Sequence, residues 1–379
     1  MDDVTTTTDS SNKNQVERSS SECPPAPVID QASPLAHFWR RPLCDASSVN
    51  LQHVNPELAN DVVRERHRIY CVLLMALIKR FWNGNKNGPV GVYPRRANQK
   101  EPGQDPRAAV FRYRGDMDQS RDPLRVSWDR YLGHNIAALA VDGNGEVIDF
   151  DFNHNDLFRS SAEHAEARIV RRLFSLANVS DSWRTGALIP GKSRAFSLKE
   201  VTVYTSLESC AQCSGVMSLG RVKQVVYLQT DPGTYTIGNL MFNLAGQDPS
   251  DNSYLAAMPI PAASIGLEYF DELNAAYLQF YEQLTIAKAQ NDLRSAFFVP
   301  QGGQPADFAT SITSFLCTDS AYSIFERGAA EFNGLRVKDA TATSPSSSSS
   351  WTNQQCLDGA RRFYQYADVE GYRGSPHKL

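Results

Sequence analysis

Val201-Thr202-Val203-Tyr204-Thr205-Ser206-Leu207-Glu208-Ser209-Cys210-Ala211-Gln212-Cys213 runs from a strand-like segment directly into two cysteines three residues apart. Val201 to Tyr204 has the β-branched and aromatic composition of a strand. Cys210 and Cys213 fall at the start of a short helix, where a spacing of three puts both on one face. Upstream, His164-Ala165-Glu166 opens a second helical run. Between Ala162 and Leu176 the apolar residues Ala165, Ile169, Leu173 and Leu176 recur at helical intervals, with Ser160 or Ser161 as the N-cap. Residues two apart do not share a helix face, so His164 and Glu166 meet one point only by projecting off the helix end. Two helix N-termini would then converge, and their partial positive ends favour thiolate at both cysteines.

Working outward, Ile136 to Val141 and Glu146 to Phe150 are strands joined by Asp142-Gly143-Asn144-Gly145, a hairpin signal. A further strand is expected at Val222 to Leu228, a weak last one near Ile265, and a helix from Phe270 to Lys288. Ahead of all these, Asn55 opens a helical stretch whose buried face is Leu58, Val62, Val63, Ile69, Leu73, Leu77 and Phe81. The order α-β-β-α-β-α-β, then a loop, a strand and a helix, predicts a three-layer α/β/α sandwich around a mixed five-stranded sheet.

His164, Cys210, Cys213 and Glu166 supply one imidazole, two thiolates and a carboxylate that need not be a ligand. That is the inventory of a catalytic Zn2+ site, which takes three protein ligands and leaves its fourth position to water. Hydroxide formed there would attack a ring carbon bearing an exocyclic amine, and Glu166 would carry protons to the ring nitrogen and the leaving amine. A structural zinc would want a fourth Cys or His. None stands within a short interval, and only His154 or His134 would fold in.

These segments resemble the cytidine deaminase-like superfamily, most closely the branch of the tRNA adenosine deaminases and the CMP/dCMP-type deaminases, whose signature is H-A-E followed by P-C-x-x-C. Asn153 precedes His164 by eleven residues, as the family's base-contacting Asn does, and Ser206-Leu207-Glu208-Ser209-Cys210 is similar to its Thr-Leu-Glu-Pro-Cys. Asp231 and Gly238-Asn239-Leu240-Met241 resemble a segment of the tRNA branch. The resemblance spans roughly Tyr131 to Lys288. It implies a hydrolase acting on C–N bonds in cyclic amidines, with Zn2+ on His164, Cys210 and Cys213 and Glu166 as the catalytic proton shuttle. Substrate contacts would come from Asn153, the Ala165 backbone N–H, Glu208 and Asp231, the last toward a ribose 2′-hydroxyl; Glu208 has the alternative of bracing its loop. Adenine in RNA is the first choice of substrate, and free cytosine-type nucleosides or nucleotides are the second. A non-catalytic zinc-containing scaffold for nucleic acid or a partner is the third reading, against which the retention of Glu166 argues. The chain departs from the family pattern at Ser209, where the family has proline, and in a longer interval before Cys210, through a loop insertion at 180–197.

The 379 residues carry a net charge of −4, so no global field steers the protein toward nucleic acid. A hydrophobic content of 41% with 21% charged residues describes an ordinary soluble chain, and the longest apolar run, Cys71 to Ile78, is too short for a membrane span. No apolar leader follows Met1, and seven scattered cysteines make no disulfide framework, so a reducing, cytoplasmic setting is expected. Residues 1–54 read as a polar, disordered extension, 55–300 as the deaminase domain with an insertion at 83–130, and 301–379 as a helical extension with a Ser/Thr-rich linker at 340–352. Between Lys79 and Arg130, basic residues interleave with Tyr93, Phe111, Tyr113 and Trp128. That composition suits a looped RNA partner and a solvated insertion equally well. Apolar residues on the Val216 to Leu219 helix would serve a homodimer.

Overall fold

The computed structural model describes residues 55–82, 135–154, 160–177, 198–250, 252–289, 311–338 and 351–370. The N-terminal extension, almost all of the basic stretch and its insertion, the loop insertion at 180–197, His134 and most of the Ser/Thr linker lie outside them. In chain order the elements are α1 (Asp61–Arg80), β1 (Ala137–Val141), β2 (Val147–Phe152), α2 (Ala165–Ala177), β3 (Thr202–Thr205), α3 (Ala211–Leu219) and β4 (Gln224–Tyr227). There follow α4 (Ile237–Ala245), the short strands β5 (Gln247–Asp248) and β6 (Ser253–Tyr254), β7 (Met258–Pro261), α5 (Tyr269–Ala289), α6 (Ile312–Phe315), α7 (Asp319–Gly334) and α8 (Asn353–Glu370).

Five strands form one mixed sheet in the order β2-β1-β3-β4-β7, antiparallel at β2, β1 and β3 and parallel from β3 through β4 to β7. The β1–β2 turn is closed by Asp142, whose Oδ1 accepts from the backbone N–H groups of Asn144, Gly145 and Glu146 at 2.8–2.9 Å. Gly145 takes a φ of +107°, a region that disfavours side chains. Strand alternation divides the sheet into two faces. Ala137, Leu139, Phe150, Phe152, Tyr204 and Val226 face α1, whereas Ala138, Ala140, Val203 and Val225 join the core beneath α2 and α3. Beside Ala140/Val141 the register of β1 against β2 slips by one residue, so Ile148 joins the α2 side.

The last strand is Met258–Pro261, not the expected segment near Ile265, which lies in a 3-10 turn at Ala262–Ile265. Pro259 and Pro261 disguise it. β7 is an edge strand, and Met258 N–H donates to Lys223 O at 3.1 Å, so alternation turns the two proline nitrogens outward, where no ladder bond is lost.

α1 begins after a 3-10 turn at Pro56–Ala59, with Asn60 Oδ1 accepting from Val62 N–H at 2.8 Å. Every residue from Ile69 to Ile78 is buried, on all sides of the helix. A helix apolar all round needs cover all round. The sheet covers one side, and α7 and α8 cover the other. Arg68–Glu331 at 2.7 Å and Arg80–Asp368 pin the two outer helices, and Trp82 packs on Tyr322 and Phe325. The three layers thus acquire a fourth over α1. No helix among the described residues is long and apolar enough to cross a membrane.

Candidate metal centre and its glutamate

α2 begins at Ala165, three or four residues later than a Ser160 or Ser161 cap would set it; Ser160 Oγ instead accepts from Ala162 N–H at 3.2 Å within a preceding turn. His164 is the last residue before the helix, and its carbonyl accepts from Arg168 N–H at 3.0 Å. The helix end is capped from the sheet: Asn153, just past β2, accepts from Ala165 N–H through Oδ1 at 2.9 Å. This long-range cap fixes His164 outside the helix and Glu166 in its first turn, which removes the difficulty that residues two apart diverge on a helix.

Ion pairs hold α2 in place against β2. Asp149 and Asp151 are buried on the α2 face; Arg172 Nε lies 2.6 Å from Asp149 Oδ2 and also pairs with Asp151, and Arg168 Nε is 3.0 Å from Asp151 Oδ2. His154 Nε2 turns into the same network, 3.3 Å from Asp151 Oδ1.

β3 delivers the other half of the site. After Thr205 the chain passes Ser206 to Ser209 and enters α3 with Cys210 at the N-cap and Cys213 in the first turn. His164 Nδ1 lies 3.3 Å from Cys210 Sγ and 3.6 Å from Cys213 Sγ, and the three donor atoms are within 4.8 Å of one another. They are the one such group of metal-capable side chains among the described residues. Zn–S and Zn–N bonds of about 2.3 and 2.0 Å in a tetrahedron put nitrogen and sulfur about 3.5 Å apart, so the donor set fits zinc in kind and in spacing.

Glu166 is buried beside this triad. Its Oε2 accepts from the Cys213 thiol at 3.4 Å, and its Oε1 accepts from Thr205 Oγ1 at 3.2 Å and Ser209 Oγ at 3.3 Å. Burial raises its pKa. The hydrogen bond from Cys213 draws Cys210 well below the usual thiol range, and His164 adds to the effect, while that same bond and burial hold the proton on Cys213. His164 is pushed up by its hydrogen bond to Cys210. A lowered pKa at Cys210 is the direction a metal ligand needs, since thiolate is the form that binds metal.

Behind the cysteines, Glu208 is buried and accepts from Asp231 N–H at 3.1 Å through Oε2; burial pushes its pKa up to about 7. Asp231 Oδ1 in turn accepts from Gly233 N–H at 2.8 Å and caps the 3-10 turn Pro232–Thr234. Tyr235 and Thr236, which follow, both take left-handed backbone with φ of 53° and 56°, a strain that non-glycine residues adopt only when their surroundings impose it. Sequence reading did not find the hydrogen-bonding roles of Thr205 and Ser209; the one signal available was a hydroxyl residue at 209.

Fold and site together describe a mixed-sheet α/β protein whose His/Cys/Cys donor group sits at two helix N-termini beside a buried glutamate. No protein-family model matches this chain. It is 30% identical over 98 residues to the tRNA-specific adenosine deaminase of Bacillus subtilis (strain 168), a stretch covering 26% of this chain and 51% of that enzyme. The chain thus spans about half the length of this relative. A solved structure described as part of biochemical and structural studies of A-to-I editing by tRNA:A34 deaminases at the wobble position of transfer RNA is 21% identical. Its alignment covers 34% of this chain and 82% of that one, with a TM-score of 0.23.

Proposed function

We propose that the protein is a zinc-dependent hydrolytic deaminase of a nucleobase, with adenine in RNA as its substrate. The observation that carries this reading is the convergence of His164, Cys210 and Cys213 within 4.8 Å beside the buried carboxylate of Glu166. Zinc held by these three donors would bring the pKa of a bound water near neutrality. Glu166 takes up the two protons of the attacking water in turn at Oε2, the oxygen turned toward the donor triad, passing the first to the ring nitrogen, where it stays in the product, and the second to the departing amine. Water and the aminated base become the oxo base and ammonia. Asn153 is anchored through Oδ1 on Ala165 N–H, which leaves its amide donors to meet an acceptor on the base edge. Asp231, held by Glu208 at the rim, accepts from a ribose 2′-hydroxyl. The preference for RNA rests on the similarity to the tRNA-specific enzyme, and with it go a cytoplasmic setting and RNA contact through residues 79–130. Leu219, exposed at the end of α3, supports a homodimer formed through that helix.

Mass spectrometry on nucleosides, nucleotides, single-stranded DNA and tRNA incubated with the zinc-loaded protein should find a gain of about one dalton in tRNA adenine. Turnover of free cytosine nucleotides alone would remove the polynucleotide assignment. Glu166→Ala should bind zinc as the parent does and lose ammonia release by about 100-fold or more; unchanged release would remove Glu166 from the chemistry.

A further inference from the structure

Glu166 Oε1 has two hydroxyl neighbours, and they are not equivalent. Thr205 Oγ1 lies 3.2 Å from Glu166 Oε1 and 3.1 Å from the Leu207 carbonyl. A hydroxyl has one proton, so Thr205 serves either the carboxylate or the carbonyl, and the two acceptors compete for it. Ser209 Oγ, 3.3 Å from the same Oε1, faces no such choice of acceptor in the hydrogen bonds it makes. Its backbone is fixed independently, since Ser209 O accepts from Ser214 Oγ at 3.3 Å and Cys210 begins α3 at the next residue. Both Ser209 and Glu166 are buried, so water does not readily replace a missing donor.

We infer that Ser209 is a positioning residue: its hydroxyl anchors Glu166 Oε1 and so keeps Oε2 turned toward the His164/Cys210/Cys213 triad. A proline at 209, as in the resembling family, has no hydroxyl, so this chain has built its anchor from a residue that also starts the metal-binding helix. The division of labour between the two carboxylate oxygens follows. Oε1 is tethered to the β3–α3 connection, and Oε2 faces the triad, where the Cys213 thiol lies 3.4 Å away. Without the Ser209 hydroxyl only Thr205, whose proton the Leu207 carbonyl also claims, remains on Oε1, and the carboxylate turns more readily about its last bond, a broad torsion with little intrinsic preference. Fewer of its orientations would then place an oxygen for proton transfer.

The consequence for turnover rests on the deaminase reading, whereas the orientation of Glu166 does not. The test compares zinc-loaded wild type, Ser209→Ala, Ser209→Thr and Ser209→Pro in two measurements. In crystals, the Glu166 carboxylate should occupy one orientation in wild type and Ser209→Thr and should rotate or split in Ser209→Ala and Ser209→Pro, with zinc content equal in all four. In kinetics on the substrate that wild type turns over, Ser209→Ala should lower kcat about tenfold with KM within about twofold, and Ser209→Thr should restore most of it. An unmoved carboxylate in Ser209→Ala overturns the inference, as does a loss that Ser209→Thr does not rescue. Should wild type deaminate nothing while the carboxylate still turns in Ser209→Ala, the deaminase reading fails and the positioning role stands.

Discussion

His67 lies within α1 beneath the sheet, with Nδ1 2.8 Å from Tyr204 Oη. Burial depresses its pKa from 6.5 to about 3, and the charges of Lys223 and Arg66 push the same way. The folded protein therefore keeps this imidazole neutral at a pH where the unfolded chain protonates it. Between pH 6.5 and about 3 the unfolded state binds the extra proton, so stability is full above 6.5 and declines as the pH falls through that window, by about 1.4 kcal/mol per unit at most. At pH 5 the loss from this one residue would be about 2 kcal/mol. His67→Gln removes the titration while keeping a hydrogen-bonding side chain, so urea-unfolding free energies at pH 7 and pH 5 should differ less in the variant than in wild type by roughly that amount. Equal differences in the two proteins would mean that His67 is not the buried neutral group described here. At the same scale, the grouping of His164, Cys210 and Cys213 was legible in the sequence from residue type and from the H-A-E and C-x-x-C spacing. Asn153 as the cap of α2 was not, because the cap joins residues twelve apart through a fold that sequence spacing does not reveal. Thr205 and Ser209 were hidden for the same reason: what each donates to depends on where Glu166 comes to rest.

Among the elements, the β1–β2 hairpin was readable from Asp142-Gly143-Asn144-Gly145 because a turn is decided by its own residues. β7 was misplaced because the meaning of Pro259 and Pro261 depends on whether their strand is central or at an edge, and that is set by distant pairing. The α2–β2 junction has a similar non-local character, and it carries His164 and Glu166. Its Arg172 faces two carboxylates, of which Asp149 is fully buried. Removing the cation while leaving the anions costs far more than the pair contributes, about 3–5 kcal/mol. Arg172→Met should therefore lower the unfolding free energy by that order and weaken zinc retention, because Asp149 loses its cation and α2 is left with the Arg168–Asp151 pair to the edge strand. Adding Asp149→Asn and Asp151→Asn to Arg172→Met should recover part of the stability, since no charge then remains buried without a partner. A triple variant no more stable than Arg172→Met, by chemical denaturation, would show that the carboxylates were not the source of the cost.

At the scale of the whole molecule, the expectation of one buried face on α1 falls short, because Ile69 to Ile78 is apolar and buried on every side. Its second side finds its cover in α7 and α8, some 250 residues further along the chain, a partnership that no local pattern announces. The C-terminal helices thus share one continuous core with the sheet that positions the His164, Cys210 and Cys213 group. One close approach is at Gly328 on α7, where an added Cβ would lie 2.4 Å from Met75 Cε and 2.9 Å from Met75 Cβ on α1. The terminal methyl of Met75 would swing aside, but its Cβ would not, so the two helices would have to part. Gly328→Val should cost about 1–3 kcal/mol through overpacking, a fall in Tm of several degrees for a chain of this size. Met75→Ala alone should cost about 2–5 kcal/mol by leaving a cavity. The two together should cost about 1 kcal/mol less than their sum, because the contacts with Met75 Cε and Sδ are relieved and the valine fills part of the vacated space, although the contact with Cβ, which alanine keeps, remains. Strict additivity, measured by urea unfolding of all four proteins, would mean that α7 does not seat against Met75.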